Sequence, residues 1–430
     1  MNLVRGKIVG EDECGDIVSR LPELITATMS GGGLSVRTVI DACDRLSKEL
    51  DISAYIPFLE SIGIGMDIEA RLDEARIIFS REYLEARVAH EMGGDYLNGE
   101  EKRYVPVGYD REVREITTPL GTLLHIAAGN VDALPAYTVS EGLLTGNINI
   151  LKLPSEEGGV SAILLQKLIE IEPALTEYIY VFDYSSSDVE AMADLLAVSD
   201  AVVVWGGDET VRAVRRLAPP NTKIIEWGHK ISFAYMTGEG ATDEALAGVA
   251  ANACETNGLY CSSCQGIFLD TQDFGEVKKL ARRLLEVMDG HAAVYAERDT
   301  IGEIGQSAIK TMTEELELKL RGGGEMFRGK YSGVTAYSDS RLAPSLQFRN
   351  LWVRPLPREK FLTTIKLHKN HLQTVGLQCA EHERAELLEL LARSGVVRIT
   401  DAARMSRDYC GIAHDGEFAL RRYTKTVSVF

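Results

Sequence analysis

Five short stretches carry side chains that could do chemistry. The first is Asn257-Gly258-Leu259-Tyr260-Cys261-Ser262-Ser263-Cys264-Gln265, which follows a helical pattern over residues 243–254 and precedes a strand pattern over 265–270. A single cysteine is usually a small buried apolar residue. A loop of glycine, serine and glutamine is a poor place to bury one. Cys261 therefore competes for another role, as a thiolate that attacks a carbonyl and holds the acyl group as a thioester. Cys261 and Cys264 also make a C-x-x-C pair. No second pair and no histidine at ligand spacing accompanies it, so no metal site is expected.

The other four stretches lie upstream. Asn130 ends His125-Ile126-Ala127-Ala128-Gly129-Asn130; an asparagine there is usually a turn residue, but its amide could donate to an oxyanion. Lys152 ends the apolar run Ile148-Asn149-Ile150-Leu151-Lys152. It either snorkels to the surface or anchors ribose or phosphate oxygens, because a buried ammonium needs a partner. Val204-Trp205-Gly206-Gly207-Asp208-Glu209-Thr210 reads as strand, glycine pair and helix. Such a turn lets a pyrophosphate approach a helix N-terminus, although G-x-G-x-x-G is missing. Glu226 closes Lys223-Ile224-Ile225-Glu226; it could be a general base or could pair with Lys230.

These residues need elements to position them. Residues 1 to about 95 read as helical, with Leu72, Ala75, Phe79, Tyr83 and Ala86 on one face. Residues 104–109 and 112–118 read as the arms of a polar hairpin. Strand patterns follow at 121–128, 147–153, 178–182, 201–205, 222–226 and 232–236, mostly with helical patterns between them. That alternation predicts a doubly wound parallel sheet, whose ligands bind outside the carboxyl ends of its strands. A second α/β region spans 237–411. Gly31-Gly32-Gly33 and Gly322-Gly323-Gly324 read as loops. The chain ends on an alternating strand, 422–430, that must pair with something.

With 430 residues, 45% of them apolar, the chain can build about two or three domains. Its net charge of −18 argues against nucleic acid or an anionic membrane as a partner. No apolar run approaches the roughly 20 residues that span a bilayer, and the start lacks a signal-peptide pattern, so a cytoplasmic location is expected. The odd count of seven cysteines argues against a disulfide framework.

Taken together, the five stretches resemble the aldehyde dehydrogenase superfamily. Gly258-x-x-Cys261 is similar to its nucleophile motif, and Glu226-Trp227-Gly228-His229-Lys230 to its Glu-Leu-Gly-Gly-Lys motif. Pro119-Leu120-Gly121 followed by Asn130 resembles its oxyanion segment. Lys152-Leu153-Pro154-Ser155 resembles its ribose-binding segment, and Gly206 to Thr210 its Gly-Ser-Thr-Glu turn. Cys261-Ser262-Ser263-x-Gln265 and His414-Asp415-Gly416 bring the chain nearest the LuxC family of acyl-CoA reductases, with Cys264 where a proline is common. The superfamily's Glu-x-Phe-Gly-Pro glutamate has no counterpart in Asn350-Leu351-Trp352-Val353-Arg354-Pro355.

The resemblance implies an α/β, aldehyde dehydrogenase-like fold. Its parts are a Rossmann-like cofactor domain (1–101 and 120–236), a catalytic domain (237–411) and a β oligomerisation arm (102–119 and 412–430). It implies reduction of a fatty acyl-CoA to an aldehyde through an acyl-Cys261 thioester, with Asn130 on the oxyanion and Glu226 as base. Lys152, Ser155, Gly206, Gly207 and Glu209 would bind the cofactor. In NAD-preferring enzymes a carboxylate commonly meets the adenosine ribose. The position three residues after the lysine holds neutral Ser155, so NADPH is expected ahead of NADH. Ser155 could instead simply cap a helix beginning near Glu156. A homodimer or tetramer is expected, and an acyl-protein synthetase is a candidate partner. Two alternatives stand beside this reading: an NAD(P)-dependent aldehyde dehydrogenase with Glu226 activating water, and an acyl-carrier subunit of a fatty acid reductase complex.

Overall fold

The computed structural model describes residues 1–50, 73, 76–127, 134–154, 159–296, 299–407 and 409–430. The chain divides into two compact units, Met1–Gly228 with Tyr409–Phe430, and His229–Asp408.

The first unit opens with a hairpin of β1 (Asn2–Val4) and β2 (Lys7–Val9). Helices α1 (Glu11–Met29), α2 (Val36–Glu49), α3 (Arg81–Met92) and α4 (Gly94–Asn98) follow. The expectation of an all-helical start is thus corrected for the first residues. Arg5 and Gly6 both take positive φ, 50° and 74°, and turn the chain back on itself. Leu3 is fully buried, paired opposite Val181. Of the expected helical face, Phe79 is buried and Tyr83 packs against the same core, Ala86 is exposed, and Leu72 and Ala75 lie outside the described residues.

Next come β3 (Lys102–Tyr104) and β4 (Val113–Pro119), which pair antiparallel. The doubly wound part then runs β5 (Thr122–Ile126), α5 (Leu134–Leu144), β6 (Ile148–Lys152), α6 (Val160–Ile171), β7 (Ile179–Phe182), α7 (Val189–Ala197), β8 (Ala201–Trp205), α8 (Asp208–Leu217) and β9 (Lys223–Trp227). The sheet order is β2-β1-β7-β6-β5-β8-β9, and the strands from β5 to β9 are parallel. Strand order reverses between β5 and β8, the place where open α/β sheets bind ligands. Both faces are covered, which is why these strands read as unbroken apolar runs. Val39, Leu84, Val139 and Leu165 pack on one face, and Leu21, Leu195 and Val214 on the other.

The second unit holds β10 (Ile231–Met236), α9 (Asp243–Thr256), β11 (Cys264–Leu269), α10 (Phe274–Ala296) and α11 (Ile301–Arg321). It continues with β12 (Gly324–Arg328), β13 (Gly333–Tyr337), β14 (Asn350–Pro355), α12 (Arg358–Ile365), β15 (Leu372–Gln378), α13 (Glu381–Ser394) and β16 (Arg398–Thr400). Its sheet order is β12-β13-β14-β11-β10-β15-β16, parallel except for β12. Here a second expectation is corrected. The sequence pattern groups residues 232–236 with the first sheet, but β10 lies in the second. Ala234 stands opposite Ile267 on one side and Gly376 on the other. Alternating strand and helix patterns say that strands are parallel, not which sheet each joins.

The chain returns to the first unit with α14 (Ala419–Arg422) and β17 (Thr424–Val429). The final strand pairs antiparallel with β4, Val427 opposite Ile116, giving a three-stranded sheet β17-β4-β3. Among the described residues no helix is long and apolar enough to cross a membrane.

One buried group on β5 sets an acid limit on the fold. His125 is fully buried, with Nδ1 3.0 Å from Thr138 Oγ1 and Nε2 2.9 Å from Asn149 Oδ1. The Asn149 amide nitrogen donates to Asn147 O, so its Oδ1 is left to accept from Nε2–H. Burial lowers the His125 pKa from 6.5 to about 4, against the opposing pull of Asn149. Because the folded pKa is depressed, its contribution is complete above pH 6.5 and is lost as pH falls through 4. The loss should be on the order of 3 kcal/mol. Urea unfolding between pH 7 and pH 4 should show a steeper decline for the parent protein than for His125→Gln, and equal declines would contradict this.

Candidate active site

The thiol site is built from the end of α9. Helix α9 stops at Asn257, whose φ of 50° is left-handed, and Gly258 follows at 71°. These two residues reverse the chain, and Tyr260–Ser263 form a tight turn, with Ser263 N–H donating to Tyr260 O at 3.0 Å. The Ser263 hydroxyl accepts from Tyr260 N–H at 2.9 Å. Cys261 sits in this turn, at the amino end of β11. Its carbonyl accepts from Ser232 Oγ at 2.6 Å, and Ser232 Oγ accepts from Thr374 N–H at 3.0 Å. The turn is therefore tied to β10 and β15. Asn252 Oδ1 accepts from Cys264 N–H at 2.8 Å, tying it to α9 as well.

Cys261 is the one exposed thiol of the seven. Cys264 points the other way. It is fully buried, donates to Gly266 O at 3.3 Å, and burial pushes its pKa up to about 12. A thiol so placed is protonated at any physiological pH and is a poor nucleophile.

In the first unit the expected ligand-binding residues fall at the carboxyl ends of the parallel strands. Lys152 ends β6 and is 3% exposed, so it does not snorkel out. Its ammonium donates to Ser186 Oγ at 2.8 Å, and burial lowers its pKa against the opposing charge of Asp183. Gly206 follows β8, and a Cβ there would press within 3.2 Å of Thr210, whereas Gly207 faces open space. The bare turn leads into α8, whose first turn carries Asp208 and Glu209. A glycine pair before a helix N-terminus and a buried ammonium are groups that fit a dinucleotide. Glu226, on β9, pairs with Arg215 at 2.9 Å rather than standing alone, and both side chains are well exposed. Lys230 instead donates to Asn370 O at 3.0 Å. Asn130 and Ser155 lie outside the described residues.

The structure adds groups that the sequence pattern missed. Trp205 and Trp227 end neighbouring strands β8 and β9 with ring centres 5.5 Å apart. His414 sits 4.9 Å from the first and 5.1 Å from the second. Beneath lies a buried charged group. The Arg87 guanidinium meets Glu91 at 2.6 Å and Glu141 at 2.5 Å, and Tyr423 donates to Glu141 at 3.2 Å. Burial raises the Glu141 pKa even against Arg87. The Arg87/Glu91 spacing of four on a helix was the available clue; the partners come from distant segments.

Two mostly parallel sheets and a small antiparallel one are the fold of the aldehyde dehydrogenases. The NAD-dependent aldehyde dehydrogenase of Sinorhizobium meliloti is similar over 100% of this chain and 94% of its own, with a TM-score of 0.75 at 16% identity. The NADP-dependent glyceraldehyde-3-phosphate dehydrogenase of Bacillus halodurans C-125, solved with NADP, covers 100% of this chain and 98% of its own, with a TM-score of 0.72 at 14% identity. Residues 33–426 match the acyl-CoA reductase (LuxC) family, and the chain belongs to that family. The long-chain acyl-protein thioester reductase of Vibrio harveyi is 24% identical over 365 residues, 82% of this chain and 72% of its own length. That of Aliivibrio fischeri is 25% identical over 390 residues, 87% and 77% of the two lengths. The chain is an oxidoreductase acting on acyl thioesters.

The contrast between the two neighbouring thiols is directly measurable. Iodoacetamide at pH 7.5 on the folded protein should modify Cys261 first and leave Cys264 unmodified until denaturant is added. Peptide mapping reads both, and labelling of Cys264 in the native state would contradict its placement.

Proposed function

We propose that this protein reduces a long-chain fatty acyl thioester to the aldehyde through an acyl-Cys261 intermediate, with NADPH as reductant. The observation that carries the reading is the single exposed thiol, Cys261, in a turn held by hydrogen bonds to α9, β10 and β15.

The chemistry assigns a task to each residue. The Cys261 thiolate attacks the thioester carbonyl, with the oxyanion held by the Cys261 backbone N–H and the Asn130 amide. The carrier thiolate leaves, and the acyl group remains on Cys261 as a thioester. Exchange between thioesters is nearly balanced in energy, so the acyl group stays reducible. A reduced nicotinamide, when bound, would supply the hydride. The resulting tetrahedral adduct on Cys261 collapses, releasing the aldehyde and restoring the thiolate. Glu226 is the base that generates the thiolate. Its ion pair with Arg215 is exposed, and such pairs hold by only about 0–1 kcal/mol, so the carboxylate can exchange partners.

Lys152 and the Gly206-Gly207 turn would hold the ribose and diphosphate, with Glu209 accepting from a ligand hydroxyl. Ser155, neutral where a carboxylate would repel a 2′-phosphate, supports NADPH over NADH. The names of the relatives support an acyl-protein thioester as acyl donor, and the family's description supports an acyl-CoA; an acyl-protein synthetase is the partner that would charge such a carrier. The antiparallel sheet of β3, β4 and β17 has exposed edges that suit pairing between copies in a cytoplasmic dimer or tetramer; light scattering that found a monomer at micromolar concentration would reject this.

The decisive assay follows NADPH oxidation with acyl-CoAs of several chain lengths, and NADP+ reduction with the matching aldehydes. Cys261→Ala should abolish labelling by radioactive acyl-CoA and turnover, while Cys264→Ala keeps both. Stoichiometric labelling of Cys261→Ala, or net acid formation from aldehyde as the faster reaction, would overturn the reading.

Cofactor choice has its own check. kcat/KM should favour NADPH over NADH, and Ser155→Glu should penalise NADPH far more than NADH. A preference of the parent protein for NADH would remove Ser155 from this role.

A further inference from the structure

Three successive residues of the second unit, Gln347, Phe348 and Arg349, take left-handed backbone, at φ 62°, 45° and 63°. None is glycine. Each is costly, and such conformations persist only where surrounding bonds over-determine them, a condition that collects at working sites.

The bonds that hold this loop are shared with the turn of the reactive thiol. Phe348 N–H donates to Asn257 O at 2.8 Å. Arg349 Nη1 donates to Asn257 Oδ1 at 3.0 Å and to Asp299 Oδ1 at 2.9 Å, and Nη2 meets the other Asp299 oxygen. Ser345 N–H and Oγ both donate to Gln265 Oε1 at 2.9 Å, and Gln265 Nε2 donates to Gly258 O at 3.1 Å. Lys310 donates to Gln347 and lies 5.5 Å from the Phe348 ring. Asn257 and Gly258 are themselves left-handed, and they carry the chain from α9 to Cys261.

The guanidinium of Arg349 is 5% exposed, and its charge is met by Asp299, whose side chain is 9% exposed. A neutralised cation brings little field to a thiol. What it does bring is geometry, because a planar fork can grip a carboxylate and an amide oxygen together.

We propose that Arg349, paired with Asp299, is a positioning residue for acyl transfer: it locks Asn257 and so sets where the Cys261 turn stands. This rests on Cys261 being the acylated residue. The lock has one side at Asn257 and Gly258, and the Ser232 bond to the Cys261 carbonyl is its other anchor. Losing one anchor lets the turn drift, and misplacement of about 1 Å can cost as much as 100-fold in rate.

The test uses the full chain with Arg349→Lys, Asn257→Gly, whose glycine keeps the left-handed turn without strain, and the double variant. A lysine keeps the charge near Asp299 but cannot grip both partners. Single-turnover acylation by acyl-CoA should slow fivefold or more in each single variant. KM should stay within threefold, and the double variant should be no slower than the worse single, because both remove one bond. Losses below fivefold, or a double variant showing the product of the two losses, would overturn the lock. If Arg349→Lys does not fold, Asn257→Gly decides alone, since it leaves the Arg349–Asp299 pair intact. Loss of folding in both would assign the pair to stability and overturn the proposal. Should the parent protein not acylate at Cys261, native-state alkylation of Cys261 by iodoacetamide replaces the acylation readout. A change of threefold or more in either single variant then supports the lock, and an unchanged rate overturns it.

Discussion

Parallel pairing of strands constrains almost everything else in this protein. Parallel neighbours cannot be joined by a tight turn, so each return trip needs a crossover, and the crossovers cover both faces of the sheet. With the faces closed, only the strand ends remain open to ligands. In the first unit Lys152, Trp205 and Trp227 are all last residues of parallel strands, and the Gly206-Gly207 turn follows directly on one of them. In the second unit the turn that carries Cys261 lies at the other kind of end, just before β11. A side chain from one strand and a side chain from its neighbour are held at ladder spacing. The two tryptophans are therefore adjacent by register, Trp205 opposite Trp227.

The C-terminal segment is integrated by burial of charge rather than by strand pairing alone. Glu91 accepts the backbone N–H of Leu420 at 3.0 Å while holding Arg87, and its own carbonyl accepts from Arg421. One guanidinium serves two carboxylates here. Removing Arg87 would leave both buried without a counter-charge, a far larger loss than any exposed ion pair could cause. The same cluster backs the aromatic group around His414, so the segment that supplies β17 also completes the wall behind Trp205 and Trp227.

Legibility in the sequence followed the range of the interaction. Strands β5 to β9 were readable because two-sided burial writes itself as an apolar run, and α9 because its period and its end at Asn257-Gly258 are local. The hairpin of Asn2–Val4 and Lys7–Val9 was not readable, being too short for any period to show. The sheet that owns Ile231–Met236 was hidden because pairing is decided by β11 and β15, far along the chain. Cys261 could be singled out from the polar small residues around it, and Lys152 from the cost of burying its charge. The left-handed run at Gln347, Phe348 and Arg349 left no trace, since no glycine marks it and its cause lies at Asn257 and Gln265. The grouping of His414 with the two tryptophans was equally invisible, because it is made by the returning C-terminal segment.

The side chain of Cys264 carries a consequence for life under oxidants. Two cysteines spaced as Cys261 and Cys264 are often a redox couple, in which the second thiol resolves damage to the first. Here the second is buried in β11 with its thiol hydrogen-bonded to Gly266 O, and burial holds it in the protonated form that resolves poorly. An oxidised Cys261 thus has no resolving neighbour in its own turn. Peroxide would carry it through the sulfenic acid toward the sulfinic and sulfonic acids, the latter two irreversible without dedicated repair. The burial that shields Cys264 leaves the exposed thiol of Cys261 dependent on the reducing power of its surroundings.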